Sequence, residues 1–123
     1  MTKNIEKLKK EKRIKTHKRI RAKISGTSQI PRLSVFKSNK NLTVQLIDDE
    51  NEKTILSLTT FNKDIKDKLN GKKSDKAYEL GALIAKQAKE KGIEKIVFDR
   101  GGFVFHGRIE KLAQGLRDNG LKF

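Results

Sequence analysis

The chain has 123 residues, 37% of them charged and 34% hydrophobic, and 30 lysines and arginines against 15 acidic residues leave a formal net charge of +15. Cysteine and tryptophan are absent, which excludes disulfide frameworks, thiolate metal sites and cysteine catalysis. Of the two histidines, His17 and His106, neither has a neighbour at metal-ligand spacing, and no apolar run approaches the ~20 residues of a membrane span. A basic N-terminus without an apolar stretch is not a secretory signal. The small apolar fraction predicts a modest core, which suits a protein completed by a partner better than an enzyme with a deep pocket.

The charge is segregated. Residues 1–24 carry eleven lysines and arginines against Glu6 and Glu11, a surplus of nine out of the net fifteen. Such density repels itself, so this arm is expected to be a solvated tail until a polyanion neutralises it. It lacks proline and is rich in helix formers, which predicts a helix that forms on its ligand. Ser25-Gly26-Thr27-Ser28 reads as a hinge, dividing a 1–24 arm from a 25–123 globular domain. Pro31 then opens an alternating run from Arg32 to Lys37, with Leu33 and Val35 on one face. The turn Ser38-Asn39-Lys40-Asn41 leads into a second alternating run with Leu42, Val44 and Leu46 on one face. Asp49-Glu50-Asn51-Glu52 turns the chain into a third run, Lys53 to Thr60, completing an antiparallel meander.

Residues 61–73 are polar and lysine-rich without a clear period. Ser74 offers an N-cap to a helix whose apolar face is Ala77, Leu80, Gly81, Ile84 and Ala88, and Gly92 closes it. Ile96-Val97-Phe98 is a short continuous apolar run of the kind buried in a parallel strand. Arg100-Gly101-Gly102 breaks it, and a last helix follows from Gly107 to about Asn119, with Ile109, Leu112, Ala113 and Leu116 inward. Meander, helix, strand, helix implies a crossover and a mixed sheet, hence a layered α/β domain.

Three chemistries compete for the polar residues. Asp48 and Asp49, joined by Asp99, offer the carboxylates of a magnesium-dependent nuclease, but neighbours on a strand or turn point apart, and a solvated acidic turn is the simpler reading. His106 with Asp99 suggests a base and its orienting carboxylate, yet no nucleophile elbow accompanies them. The glycine-rich stretch 101–107 does not fit the phosphate loops of nucleotide enzymes. It reads as a strand-to-helix loop in which glycine lets backbone approach something closely, flanked by Arg100 and Arg108, with helix-start amides that favour an anion. Phe36, Phe103 and Phe105 are candidates to stack on unpaired bases, core packing being the commoner fate of any one of them. Charge alone does not choose among RNA, DNA compaction and an anionic lipid surface.

The blocks Pro31 to Lys40, Gln45-Leu46-Ile47-Asp48-Asp49, Ala77-Tyr78-Glu79-Leu80-Gly81 and Phe98-Asp99-Arg100-Gly101-Gly102-Phe103-Val104-Phe105-His106-Gly107-Arg108 closely resemble the bacterial large-subunit ribosomal protein L-eighteen family. With the basic arm and the closing Gly120-Leu121-Lys122-Phe123, the resemblance runs nearly end to end. It implies a non-enzymatic protein of the cytoplasmic ribosome that binds 5S rRNA and helps attach it to 23S rRNA in the central protuberance. Ribosomal protein L-five would be a neighbour, and no cofactor, membrane or small-molecule substrate is implied. The implied fold is a mixed α/β sheet similar to the ribonuclease H motif without its catalysis. The implied RNA contacts are Lys9, Lys10, Lys12, Arg13, Lys15, His17, Lys18, Arg19, Arg21 and Lys23 of a basic arm that is mobile in the free protein. Arg32, Phe36, Ser38, Asn39 and Lys40 of the first hairpin follow, then Arg100, Gly101, Gly102, His106, Gly107 and Arg108 of the signature loop. The arm is richer in lysine than in many relatives.

Overall fold

A computed structural model describes residues 2–60 and 71–123. Among these, the order is helix α1 (Thr2–Arg21), strands β1 (Arg32–Lys37), β2 (Leu42–Asp48) and β3 (Lys53–Thr59), helix α2 (Lys73–Glu90), strand β4 (Val97–Asp99) and helix α3 (Arg108–Asp118). The aperiodic stretch 61–73 lies outside the described residues as far as residue 70.

The strands form one open sheet in the order β3-β2-β1-β4. β1 and β2 are antiparallel, with Leu33 opposite Leu46 and Val35 opposite Val44; β2 and β3 are also antiparallel. β4 joins the far edge parallel to β1, Leu33 facing Phe98 and Ser34 facing Asp99. A parallel edge strand needs a crossover, and α2 supplies it. Since side chains alternate across a strand, Leu33, Val35, Leu42, Val44 and Leu46 all reach one face, where each is at most 2% exposed. That face packs with Leu80 and Ile84 of α2 and Ile109, Leu112 and Leu116 of α3 in one core. Each fully buried leucine or isoleucine there contributes about 1.5–3 kcal/mol.

The two helices meet backbone to backbone. A Cβ added to Gly81 would stand 2.5 Å from the Leu112 carbonyl oxygen, and one added to Gly115 would stand 2.2 Å from that of Tyr78. α2 starts two residues earlier than a Ser74 N-cap suggests, with Lys72 as its N-cap. The Lys72 amide donates to the Asp75 carboxylate at 3.1 Å, so Asp75 satisfies the helix start and Ser74 lies inside the first turn. At the other end Gly92 has φ 80°, and the Gly92 and Ile93 amides bond the Lys89 and Ala88 carbonyls, both at 2.9 Å. This is a Schellman closure whose following residue, Ile93, is buried.

β4 is displaced by one residue from the apolar run Ile96-Val97-Phe98. The Ile96 amide bonds the Lys122 carbonyl instead, and the sheet continues through Asp99. That displacement carries a carboxylate into the sheet. By register and alternation Asp99 shares with Arg32 and Ser34 the face opposite the helical core, and α1 reaches that face.

Candidate nucleic-acid interface

Basic side chains on α1 separate into two faces. Arg13, Thr16, His17, Ile20 and Arg21 recur at helical spacing and are half-buried, whereas Lys9, Lys10, Lys12, Lys15, Lys18 and Arg19, and Lys23 just beyond the helix, are exposed. What the first face meets explains the division. Arg32, at the start of β1, donates from Nη1 to Asp99 Oδ2 at 2.7 Å, and from Nε and Nη2 to the two Asp49 oxygens at 3.0 and 3.1 Å. His17 Nε2 lies 3.0 Å from the same Asp99 oxygen, and the Gly101 amide donates to the other at 2.9 Å. Arg21 reaches Asp49 at 3.5 Å and the Ile24 carbonyl at 3.0 Å. Arg13 lies 3.4 Å from the Gly101 carbonyl oxygen, a long donor contact.

Asp99 is fully buried and Arg32 only 7% exposed, so neither charge is tenable without the other. Burial works against the Arg32 charge, yet the hydrogen bonds it donates to Asp49 and Asp99 leave its pKa raised overall. The Arg32 hydrogen bonds, aided by the Gly26 amide and the nearby Arg21, hold the Asp49 carboxyl at about 2, below its usual range.

The geometry corrects three expectations drawn from charge and turn chemistry. α1 is docked along one face rather than wholly solvated, because Asp99 and Asp49 supply the countercharge to its inward residues. The run 25–28 is fastened, with the Gly26 amide donating to Asp49 Oδ2 at 2.7 Å and its carbonyl accepting from the Asp49 amide at 3.0 Å. Nor is Asp48 a solvated turn residue. It is buried and accepts from the Glu50 and Asn51 amides at 3.1 and 3.3 Å and from the Asn51 side chain at 2.7 Å. The three carboxylates of the nuclease reading are therefore divided, Asp48 closing a turn while Asp49 and Asp99 hold a guanidinium between them.

Glycines of the signature loop do allow a close approach, and the partner is α1. A Cβ on Gly102, whose φ is +80°, would stand 2.3 Å from the Arg13 carbonyl oxygen; one on Gly101 would stand 2.2 Å from that of Val35. Arg100 turns inward and donates to the Phe103 carbonyl at 2.6 Å. His106 is exposed and 3.7 Å from Glu110, Gly107 precedes α3 as its N-cap, and the His106–Asp99 pairing does not form, since Asp99 faces His17.

The hairpin turn is tied to α2 and α3. Arg108 donates to the Ser38 carbonyl at 2.8 Å and Lys73 to that of Asn39 at 2.6 Å, while Asn39 and Lys40 stay exposed. A cleft of about 120 Å³ here is lined by Lys40, Leu42, Thr60, Lys73, Lys76 and Arg108. Lys73 and Lys76 had no signal in the sequence beyond their charge; the crossover brings them to the hairpin. Phe36 is 52% exposed and edge-on to Phe103 at 5.9 Å, with the Arg13 guanidinium 5.5 and 4.9 Å from the two ring centres. Phe105 packs edge-on to Phe98 instead.

The arm beside the signature loop thus presents one cationic surface and the hairpin beside α2 and α3 another, while the interior carboxylates are neutralised within the fold. These features define a small basic α/β protein built to meet a polyanion rather than to perform catalysis. A family described as ribosomal L18 of archaea, bacteria, mitochondria and chloroplast matches residues 7–123. The chain is 50% identical over 115 residues to the large ribosomal subunit protein uL18 of Pediococcus pentosaceus, covering 94% of this chain and 95% of that one. It is 51% identical over 111 residues to that of Lactobacillus johnsonii (90% and 92% covered) and 48% over 117 residues to that of Prochlorococcus marinus (94% and 96% covered). The chain belongs to the ribosomal L18 family, whose members are structural, non-enzymatic ribosomal proteins.

Proposed function

We propose that this protein is a constituent of the large ribosomal subunit that binds 5S rRNA and helps attach it to 23S rRNA in the central protuberance, beside ribosomal protein L-five. The observation that carries this reading is the division of α1. Seven of the arm's ten predicted RNA contacts, Lys9, Lys10, Lys12, Lys15, Lys18 and Arg19 on α1 and Lys23 just past it, are exposed, while Arg13, His17 and Arg21 fasten the helix to the domain. Together with Arg32, these three position the cationic stripe, and the exposed seven neutralise phosphates. Asn39, Lys40, His106 and Arg108 extend the surface from the folded side; Ser38, Arg100, Gly101, Gly102 and Gly107 shape it, and Phe36 offers a ring. The meander, crossover helix and parallel edge strand support the ribonuclease H-like arrangement, used here as a scaffold.

Binding to 5S rRNA across a potassium chloride series tests the reading. Affinity falls with a log–log slope of roughly −0.7 to −0.9 per phosphate neutralised. Removing residues 1–24 flattens that slope, by up to about five if most of the seven cations meet phosphate. A truncated protein that bound 5S rRNA as tightly at every salt concentration would refute the arm's role, and equal affinity for duplex DNA would refute the choice of RNA.

A further inference from the structure

We infer that the cleft between α1 and the Gly102–Phe103 corner, together with the exposed Phe36 ring at its margin, is a site for one unstacked nucleotide of the bound RNA, its phosphate among the arm lysines in the cleft and its base reaching out against Phe36. The inference rests on the RNA-binding reading above and goes further by naming what one part of the surface holds. The cleft measures about 340 Å³ and is lined by Lys9, Lys10, Lys12, Arg13, Thr16, Gly102 and Phe103. That volume falls within the ~300–1,000 Å³ of small-molecule sites. Three lysines and an arginine on one wall select an anion; the ring on the other wall is Phe103, and Phe36 stands edge-on to it at 5.9 Å, just outside the lining.

The two rings are not equivalent. Phe103 is half-buried, with the Arg13 guanidinium 4.9 Å and the Lys37 ammonium 5.5 Å from its ring centre. Phe36 stands beside it on the outer face of β1 with about half its surface in water, 52%. Burying a phenylalanine is ordinarily favourable, so a ring kept exposed between cations on a nucleic-acid-facing surface has a partner still to come. A base meets it well, because every base has a π-face and its attached phosphate satisfies the neighbouring cations. Duplex RNA does not meet it, since its bases are stacked away from side chains. Gly102 has a part in the shape, because a side chain there would collide with the Arg13 backbone that forms the cleft's rim.

The absence of tryptophan gives a direct test. The Phe36→Trp variant carries the only indole, which is quenched when a base stacks on it. Titrating it with 5S rRNA, and separately with single-stranded oligoadenylate and with a duplex of the same length, is expected to give saturable quenching by the first two and not by the duplex. Phe36→Leu is expected to weaken both single-stranded and 5S rRNA binding by about 5- to 150-fold, the span of one lost base stack, without changing the salt slope. Lys9→Ala with Lys12→Ala is expected to flatten that slope. Thermal melting of each variant checks that the fold is kept. Stoichiometric binding without quenching, or Phe36→Leu binding as tightly as the parent, overturns the nucleotide site while leaving salt-dependent 5S rRNA binding intact. Loss of 5S specificity with oligoadenylate quenching retained overturns the ribosomal address and supports the site.

Discussion

Replacing Arg32 with methionine removes the one cation that two carboxylates share. Asp49 keeps the Gly26 amide at 2.7 Å and Arg21 at 3.5 Å, and its side chain is 17% exposed, so water reaches it. Asp99 has no such relief, being fully buried with only His17 and the Gly101 amide left among the described residues. Most of the cost therefore comes from one uncompensated carboxylate. Breaking a buried pair from one side costs about 3–5 kcal/mol, a large part of the ~5–15 kcal/mol that holds a small domain together. Urea unfolding is expected to show the midpoint lowered by about 2 M, given a slope of ~1–3 kcal/mol per molar. Adding Asp99→Asn to Arg32→Met removes the stranded charge and is expected to recover part of the loss, a coupling that a double-mutant cycle measures. A loss below about 1 kcal/mol for Arg32→Met, or no recovery in the double variant, would refute the claim that this guanidinium organises the α1-facing side of the sheet.

Three further predictions follow from the same geometry. The Asp49 pKa lies near 2, below the ordinary 3.8, so its ionised form favours folding. That contribution, on the order of 2 kcal/mol, is full above the unfolded-state pKa and disappears as pH falls towards 2. Acid titration of stability should show this loss in the parent and not in Asp49→Asn. Gly102→Ala places a Cβ 2.3 Å from the Arg13 carbonyl oxygen at a φ of +80°. It should loosen α1 from the loop, seen as faster hydrogen exchange over residues 13–21 with the sheet amides unchanged; unchanged protection there would contradict the docking. Gly115→Ala gains helix propensity of ~1 kcal/mol but places its Cβ 2.2 Å from the Tyr78 carbonyl oxygen. It should destabilise by ~1–3 kcal/mol as an overpacked contact, and a rise in melting temperature would show that the helices part freely.

Periodicity alone determined most of the framework. Leu33, Val35, Leu42, Val44 and Leu46 alternate strictly, so register and burial follow from the pleat. Ala77, Leu80, Ile84 and Ala88 repeat at helical spacing, so the face of α2 follows from its period. Gly92 and Gly120 mark the helix ends by chain chemistry. The segregation of cations into the first 24 residues, and the membership implied by the signature blocks, were equally legible, because both are properties of the chain in order. What the order of residues does not carry is which charge meets which. Arg13, His17, Arg21 and Arg32 look the same in sequence as the lysines beside them, yet they face inward. The reason lies 17 to 88 residues away, in the alternation that turns Asp99 to the outer face of β4 and in the turn that brings Asp49 beside Arg32. Lys73 and Lys76 were missed for the complementary reason, since only the crossover brings them to the hairpin. Local spacing specifies which side of an element is apolar. Pairing between distant charges depends on where the sheet places the strand ends, so only the folded chain separates the cations that hold the arm from those left for the polyanion.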